Sequence, residues 1–358
     1  MSDVEVDDDP CAGSPTTNLG LRIGAIFIIL VTSLFGTLFP IASKRIPVLR
    51  RAVPGVVFEF AKYFGSGVIL ATGFIHLLEP AADEELSEGN TISAGGCISD
   101  KWGLYPFAFG ICLVSLFFTF VLHLVAFRIG TERLQEMGLS ANTGGHDHPH
   151  AGGHHVHPEV ASSTESSEQA LEKGVAAPDS VDGASFADAQ ERSPLIAQIL
   201  GVATLEFGVI FHSIIIGLTL AVTGSDEFNI LFIVIIFHQM FEGLGLGTRL
   251  AFLNLPPKYN WVPFVSAVVY SIVTPLGMAI GLGVREGLSM SSGSASVAAG
   301  VLDSISAGIL IYTATVELIS HEFILNKAYL TCSWGKLWFS LTSFGFGAGI
   351  MALLGKWA

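Results

Sequence analysis

The chain has 358 residues, of which 51% are apolar and 13% charged, with a mean hydropathy of +0.61. That combination excludes an ordinary soluble protein of this size, and a net charge of −14 does not suit a nucleic-acid binder. The acids are also local: 21 of the 31 Asp and Glu lie in residues 1–20, 80–103 and 129–194, which leaves long apolar stretches between them.

Residues 1–20 form an acidic tail rich in Ser, Thr, Pro and Gly. The tail has neither the basic start nor the cleavage site of a signal peptide, so the first apolar run reads as a retained span. That run, Leu21 to Ile41, closes at Phe39-Pro40 and is followed by Lys44, Arg45, Arg50 and Arg51. The positive-inside rule puts this cluster in the cytoplasm and the amino terminus outside. The second span, about Val56 to Leu78, opens with Glu59 and Lys62, which at three-residue spacing can pair and snorkel to the inner surface. It closes near the outer mouth with His76 and Glu79 on one face, read here as pathway residues, while Asp83, Glu84, Glu85 and Glu88 read as a solvated helix end. Cys97 in the next loop and Cys11 in the tail both fall outside, where a disulfide is permitted; the sequence leaves their pairing open.

The third span, Leu104 to Phe127, exits at Arg128 and Arg133, and its His123, with no partner in sight, reads as structural or interfacial. Spans one to three thus occupy residues 21–128. Residues 129–194 lack apolar periodicity and read as a disordered cytoplasmic loop. Within it His146, His148, His150, His154, His155 and His157 indicate metal contact by composition, though no geometry.

Residues 195–252 carry spans four and five, Ile196 to Thr223 and Phe228 to Phe252. Each exceeds the roughly 20 helical residues that cross a bilayer core, and each bears a histidine near its middle. His238 and Glu242, four residues apart, share a helix face. The short connection Gly224 to Glu227 makes an antiparallel hairpin, which can bring His212 level with that pair. Two imidazoles and a carboxylate suit Zn²⁺, with Fe²⁺ or Mn²⁺ admitted by the same ligand chemistry, and the fourth position falls to water, Ser213 or Gln239. Intramembrane ionisable groups mark ion pathways; plain hydrogen bonding between helices is the alternative. The spacing His212/Gly217 recurs as His238/Gly243, 26 residues on, which hints at a quasi-symmetric pair. Glu206, about 9 Å inward of His212 at helical rise, is either an exit-side relay or a polar interface residue.

Residues 253–358 hold spans six to eight. After an inner loop, Leu253 to Asn260, span six runs from Trp261 to Val284, with Pro275, Gly277, Gly281 and Gly283 permitting a kink or a close helix approach. Span seven, Val297 to Ser320, contains Asp303 and Glu317, with His321-Glu322 at its inner end; span eight, Leu337 to Leu354, offers Gly345 and Gly349 as a small-residue face. On this topology 12 Lys and Arg are cytoplasmic and 4 are outside, the expected bias. The fold class is an all-α polytopic membrane protein with eight transmembrane helices and both termini extracellular.

The run Gly67 to Leu78, the run Leu205 to Gly217 and the motif His238-Gln239-Met240-Phe241-Glu242-Gly243 resemble the ZIP (Zrt-, Irt-like) divalent metal transporters, most of all the fungal and plant plasma-membrane branch. The span count, the outside termini and the His-rich loop after the third span match as well, so the resemblance covers nearly the whole chain. It implies a 3+2+3 helix arrangement, zinc uptake into the cytosol (iron or manganese as alternatives), homodimers in the plasma membrane and elevator-like alternating access. By motif, His212, His238 and Glu242 are implied as transport-site ligands, with Ser213 and Gln239 as neighbours. Some relatives carry a second carboxylate where this chain has Ile216, so one principal ion is expected. The ion is cargo, and no prosthetic group is expected.

Three other functions compete. A six-span metal exporter would need a different span count. An intramembrane metalloprotease would want H-E-x-x-H, but Leu325 stands four residues after His321, and His238 is followed by Gln239. A metal-sensing receptor would share the ligands and differ only in moving no ions.

Overall fold

The structure, a computed structural model, describes residue 11 and residues 18–136, 195–253, 255–284 and 292–357. The loop histidines His146 to His157 and most of the acidic tail lie outside the described residues. Eight described helices are long and apolar enough to cross a membrane. They are α1 (Leu19–Arg45), α2 (Gly55–Glu85), α3 (Phe107–Glu136), α4 (Leu195–Val222), α5 (Ser225–Phe252), α6 (Val262–Val284), α7 (Gly293–Ile324) and α8 (Trp334–Leu354).

Several expected boundaries move outward, for local reasons. Helix α1 runs through Pro40 instead of stopping there, because packed neighbours can satisfy the backbone groups that a proline frees. The chain of α2 continues past Leu78 in π-helical turns, Thr72–Leu78 and Ala81–Glu85. Asp83, Glu84 and Glu85 therefore form the last turn of the helix, with Asp83 and Glu84 exposed at its end. Helix α7 does the same over Thr313–Ile324. Such wide turns admit an extra residue and commonly mark functional sites. Only Thr223 and Gly224 separate α4 from α5, a tighter joint than the sequence suggests.

The hairpin partners are not each other's main neighbours. Helix α5 lies along α1, α4 along α6, α2 along α8 and α3 along α7. The chain thus forms two bundles, α1/α4/α5/α6 and α2/α3/α7/α8, which meet chiefly where α2 crosses α5 and α7 crosses α4. The contacts exchange in pairs: α1 with α5 as α6 with α4, α2 with α8 as α7 with α3, and α2 with α5 as α7 with α4.

Glycines set the closest approaches. A side chain on Gly217 would strike the Thr274 backbone on α6, and one on Gly243 would reach Thr37 of α1 and Tyr270 of α6. The repeated glycine after each histidine therefore seats each site helix against its own bundle. On α8 the close contact is Gly347, against the Phe64 backbone, while Gly345 and Gly349 face open space; the expected small-residue face is rotated by about half a turn.

Cys11 and Cys97 are joined in a disulfide. The loop around it packs on the start of α7, where the Cys97 carbonyl abuts Gly293. At the opposite end Lys62 does not pair with Glu59. Its Nζ binds Glu322 Oε2 at 2.5 Å, and Glu59 binds Lys336 instead. Arg249 joins Glu322 at 3.2 Å and Ser66 at 3.1 Å, closing a buried network across α2, α5 and α7. Burial explains the exchange: Lys62 is 6% exposed, and its charge needs a partner at its own depth. His123 also has partners, Glu317 at 3.3 Å and Thr204 at 3.2 Å, and so joins α3 to α7 and α4.

Candidate metal site

The midplane positions of α4 and α5 come together as their spacing suggests. His212 Nε2 lies 3.4 Å from His238 Nε2, and His238 Nε2 lies 3.8 Å from Glu242 Oε2. One ligand atom from each of the three falls within 4.8 Å of the others, and all three residues are buried. That is the size of cage that a single divalent cation draws together, with imidazole and carboxylate donors suited to zinc.

The polar atoms around this cage are left open. Glu242 Oε1, His212 Nδ1, Ser213 Oγ and both side-chain polar atoms of Gln239 have no hydrogen-bond partner among the described residues. A buried polar atom without a partner costs about 1–3 kcal/mol, so such a concentration at one depth is poor structural glue and good preparation for a charged ligand. Ser213 and Gln239, each next in the chain to a cage histidine, are both fully buried.

A cavity of about 130 Å³ leads to the cage from the disulfide end. His76, Glu79, Glu84 and Glu85 of α2 line it, together with His212, His238 and Asp303. The His76 ring packs edge-on against His238 at 4.7 Å, and its Nε2–H donates to the Met351 carbonyl at 2.9 Å. The two residues singled out on α2, His76 and Glu79, thus open onto the same space as the site histidines. Toward the other end, Glu206 lines a separate, mostly apolar cavity of about 300 Å³ between α4, α5 and α6. Its Oε2 accepts from Ser266 at 3.3 Å, while Oε1 is buried without a partner.

Two site residues are not singled out by the sequence pattern. Tyr270 of α6 places its hydroxyl 3.1 Å from the Gln239 carbonyl and 3.3 Å from Glu242 Oε2. Asp303 of α7 sets Oδ1 3.5 Å from His212 Nδ1. The available signal was depth: each is a polar group midway along an apolar span, where a tyrosine hydroxyl wants a partner and a carboxylate marks a pathway.

Fold and site together define a multi-pass helical membrane protein with a buried cluster able to hold a metal ion. A family profile described as "ZIP Zinc transporter" matches residues 19–355. The chain is 43% identical to zinc-regulated transporter 1 of Schizosaccharomyces pombe, over 95% of this chain and 86% of that protein. It is equally identical to zinc-regulated transporter 1 of Saccharomyces cerevisiae, over 95% and 88% of the two chains. Zinc transporter 8 of Oryza sativa shares 33% identity over 98% of this chain and 91% of its own. The chain belongs to the ZIP zinc transporter family, and it is a transporter, not an enzyme.

Proposed function

We propose that this protein carries zinc into the cytosol across the plasma membrane, by alternating access through His212, His238 and Glu242. The observation that carries the proposal is the buried three-ligand cage at the foot of an acid-lined cavity, with its surrounding polar atoms unpaired. Relatives named as zinc-regulated transporters support zinc over iron or manganese as cargo. The disulfide supports an oxidising, external location for the face that holds Cys11 and Cys97, and with it an outside amino terminus. The paired exchange of helix contacts supports the 3+2+3 reading, and the two-bundle division suits one bundle moving past the other. We read the functional unit as a homodimer and the His146 to His157 loop as a separate, weaker metal contact in the cytosol.

In this reading Glu79, Glu84 and Glu85 concentrate cations at the mouth. His76 stands between the mouth and His238. The cage then replaces hydration water, and an open fourth position leaves the ion exchangeable. Imidazole and carboxylate bind metal only when deprotonated, so acid outside weakens capture. Glu206 stands in the second cavity as an exit-side polar group. An inside-negative potential of 100 mV contributes about 4.6 kcal/mol to inward movement of two charges.

The test is zinc-65 flux into sealed proteoliposomes of known protein orientation. The native chain should conduct, and Glu242→Ala and His212→Ala should each abolish flux with folding and insertion intact. Zinc binding without flux under an imposed gradient would establish the receptor reading in its place; flux surviving both substitutions would refute the site.

A further inference from the structure

We propose that Asp303 is a positioning residue for His212: its carboxylate accepts the Nδ1–H of the ring and so turns the Nε2 lone pair toward the zinc cage. The inference rests on His212 being a zinc ligand, as proposed above.

The ring of His212 has two faces in this fold. Nε2 lies 3.4 Å from His238 Nε2, and Nδ1 lies 3.5 Å from Asp303 Oδ1. Neither His212 Nδ1 nor Asp303 Oδ1 has a hydrogen-bond partner among the described residues. Both residues are buried, at 2% and 4% exposure, so water is a poor substitute. A neutral imidazole carries one proton, on one nitrogen or the other. If it sat on Nε2, the ring would present N–H to the ion and a bare Nδ1 to a carboxylate, wrong at both ends. As a carboxylate, Asp303 only accepts, which favours the proton on Nδ1 and leaves Nε2 free to bind; as a protonated acid it would donate to Nδ1 and favour the other tautomer, which the ring signals below distinguish. The separation is long for a hydrogen bond, as contacts around unliganded sites often are before the ligand tightens them.

The neighbourhood of the other histidine sharpens the assignment. Across the same bundle boundary His238 meets His76 of α2, whose Nε2–H is already held by the Met351 carbonyl. From the opposite bundle, Asp303 thus lies beside His212 and His76 beside His238. Metal-bound histidines commonly donate their second N–H to a carboxylate, and its loss typically lowers metal affinity about 10- to 100-fold.

The experiment uses the full chain in lipid bilayers, with Asp303→Leu and Asp303→Asn. Three quantities are read: KM and maximal rate of zinc-65 uptake, the number of zinc ions bound per chain, and the ¹⁵N signals of the His212 ring in the metal-free protein. The signals are assigned by their loss in His212→Gln. Asp303→Leu should raise KM by about 10- to 100-fold, keep the zinc stoichiometry and move the ring proton from Nδ1 to Nε2. Asp303→Asn, which can face either tautomer, should fall between and covers the case in which Leu does not fold. An unchanged KM, a native ring already protonated on Nε2, or the loss of one bound zinc per chain would each overturn the proposal, the last by making Asp303 a ligand. If the native chain moves no zinc, the transport reading fails while the metal-free ring signals still decide the tautomer.

Discussion

Two buried polar clusters sit at different depths, and they are built on opposite terms. In the network of Lys62, Glu322, Arg249 and Ser66, opposite charges meet at 2.5 and 3.2 Å and the hydroxyl is engaged as well. In the cage of His212, His238 and Glu242, His212 Nδ1 and Glu242 Oε1 lack a partner, as do Ser213 Oγ and the Gln239 amide beside them. A satisfied cluster holds helices together and gains nothing from a cation; an unsatisfied one is a cost to the fold that a cation can relieve. A buried glutamate, Glu322 in one and Glu242 in the other, therefore does different work according to whether its partners are already present.

The contrast breaks first at Glu322. Glu322→Ala strips Lys62 and Arg249 of their shared counter-charge in a buried place and should cost about 3–5 kcal/mol. Thermal unfolding in detergent checks it, and zinc binding by the fraction that remains folded should be intact. If the variant is as stable as the native protein, the network is not holding α2, α5 and α7. A smaller effect of opposite sign is expected at the cage. Gln239→Leu removes two unpartnered polar atoms and should stabilise the fold by up to about 1–3 kcal/mol, while reducing zinc uptake. Stabilisation without loss of uptake would remove Gln239 from the site; destabilisation would show that its amide is satisfied after all. The smallest effect belongs to Tyr270. Tyr270→Phe leaves the ring packing and deletes one hydroxyl beside Glu242 Oε2, worth about 0.5–1.5 kcal/mol. It should appear as a rise of up to about tenfold in the KM for zinc, with the melting temperature nearly unchanged.

The half of the site on α4 and α5 was legible because its ligands lie in adjacent spans and obey helix periodicity: His238 and Glu242 at i and i+4, His212 across a short joint. The half supplied by Tyr270 and Asp303 was not, since nothing in one sequence tells which residue of a distant span will face a given turn. The same limit explains the mispairing at Lys62. Local spacing offered Glu59, and packing delivered Glu322, 260 positions away. Span number followed from hydropathy alone, whereas the longer α2 and α7 depended on wide turns that carry acids into a continuous helix. His76 was legible as a polar residue at depth, but its contact with the ring of His238 was set by where α2 crosses α5.

That crossing has a mechanical character of its own. Gly65 of α2 and Gly245 of α5 face one another so closely that a side chain on either would collide with the other's backbone. Interlocking side chains fix two helices at one displacement, as knobs in holes do. Two bare backbones in contact resist being pulled apart but offer little to catch against shear. Side chains flank that contact, however: Ile69 of α2 lies against Gly245, the rings of Phe64 and Phe241 meet edge-on at 5.3 Å, and Arg249 bonds Ser66, the neighbour of Gly65. The boundary between the bundles is thus bare at one point and held by side chains on either side of it, so any travel of one bundle past the other has to release those side chains first.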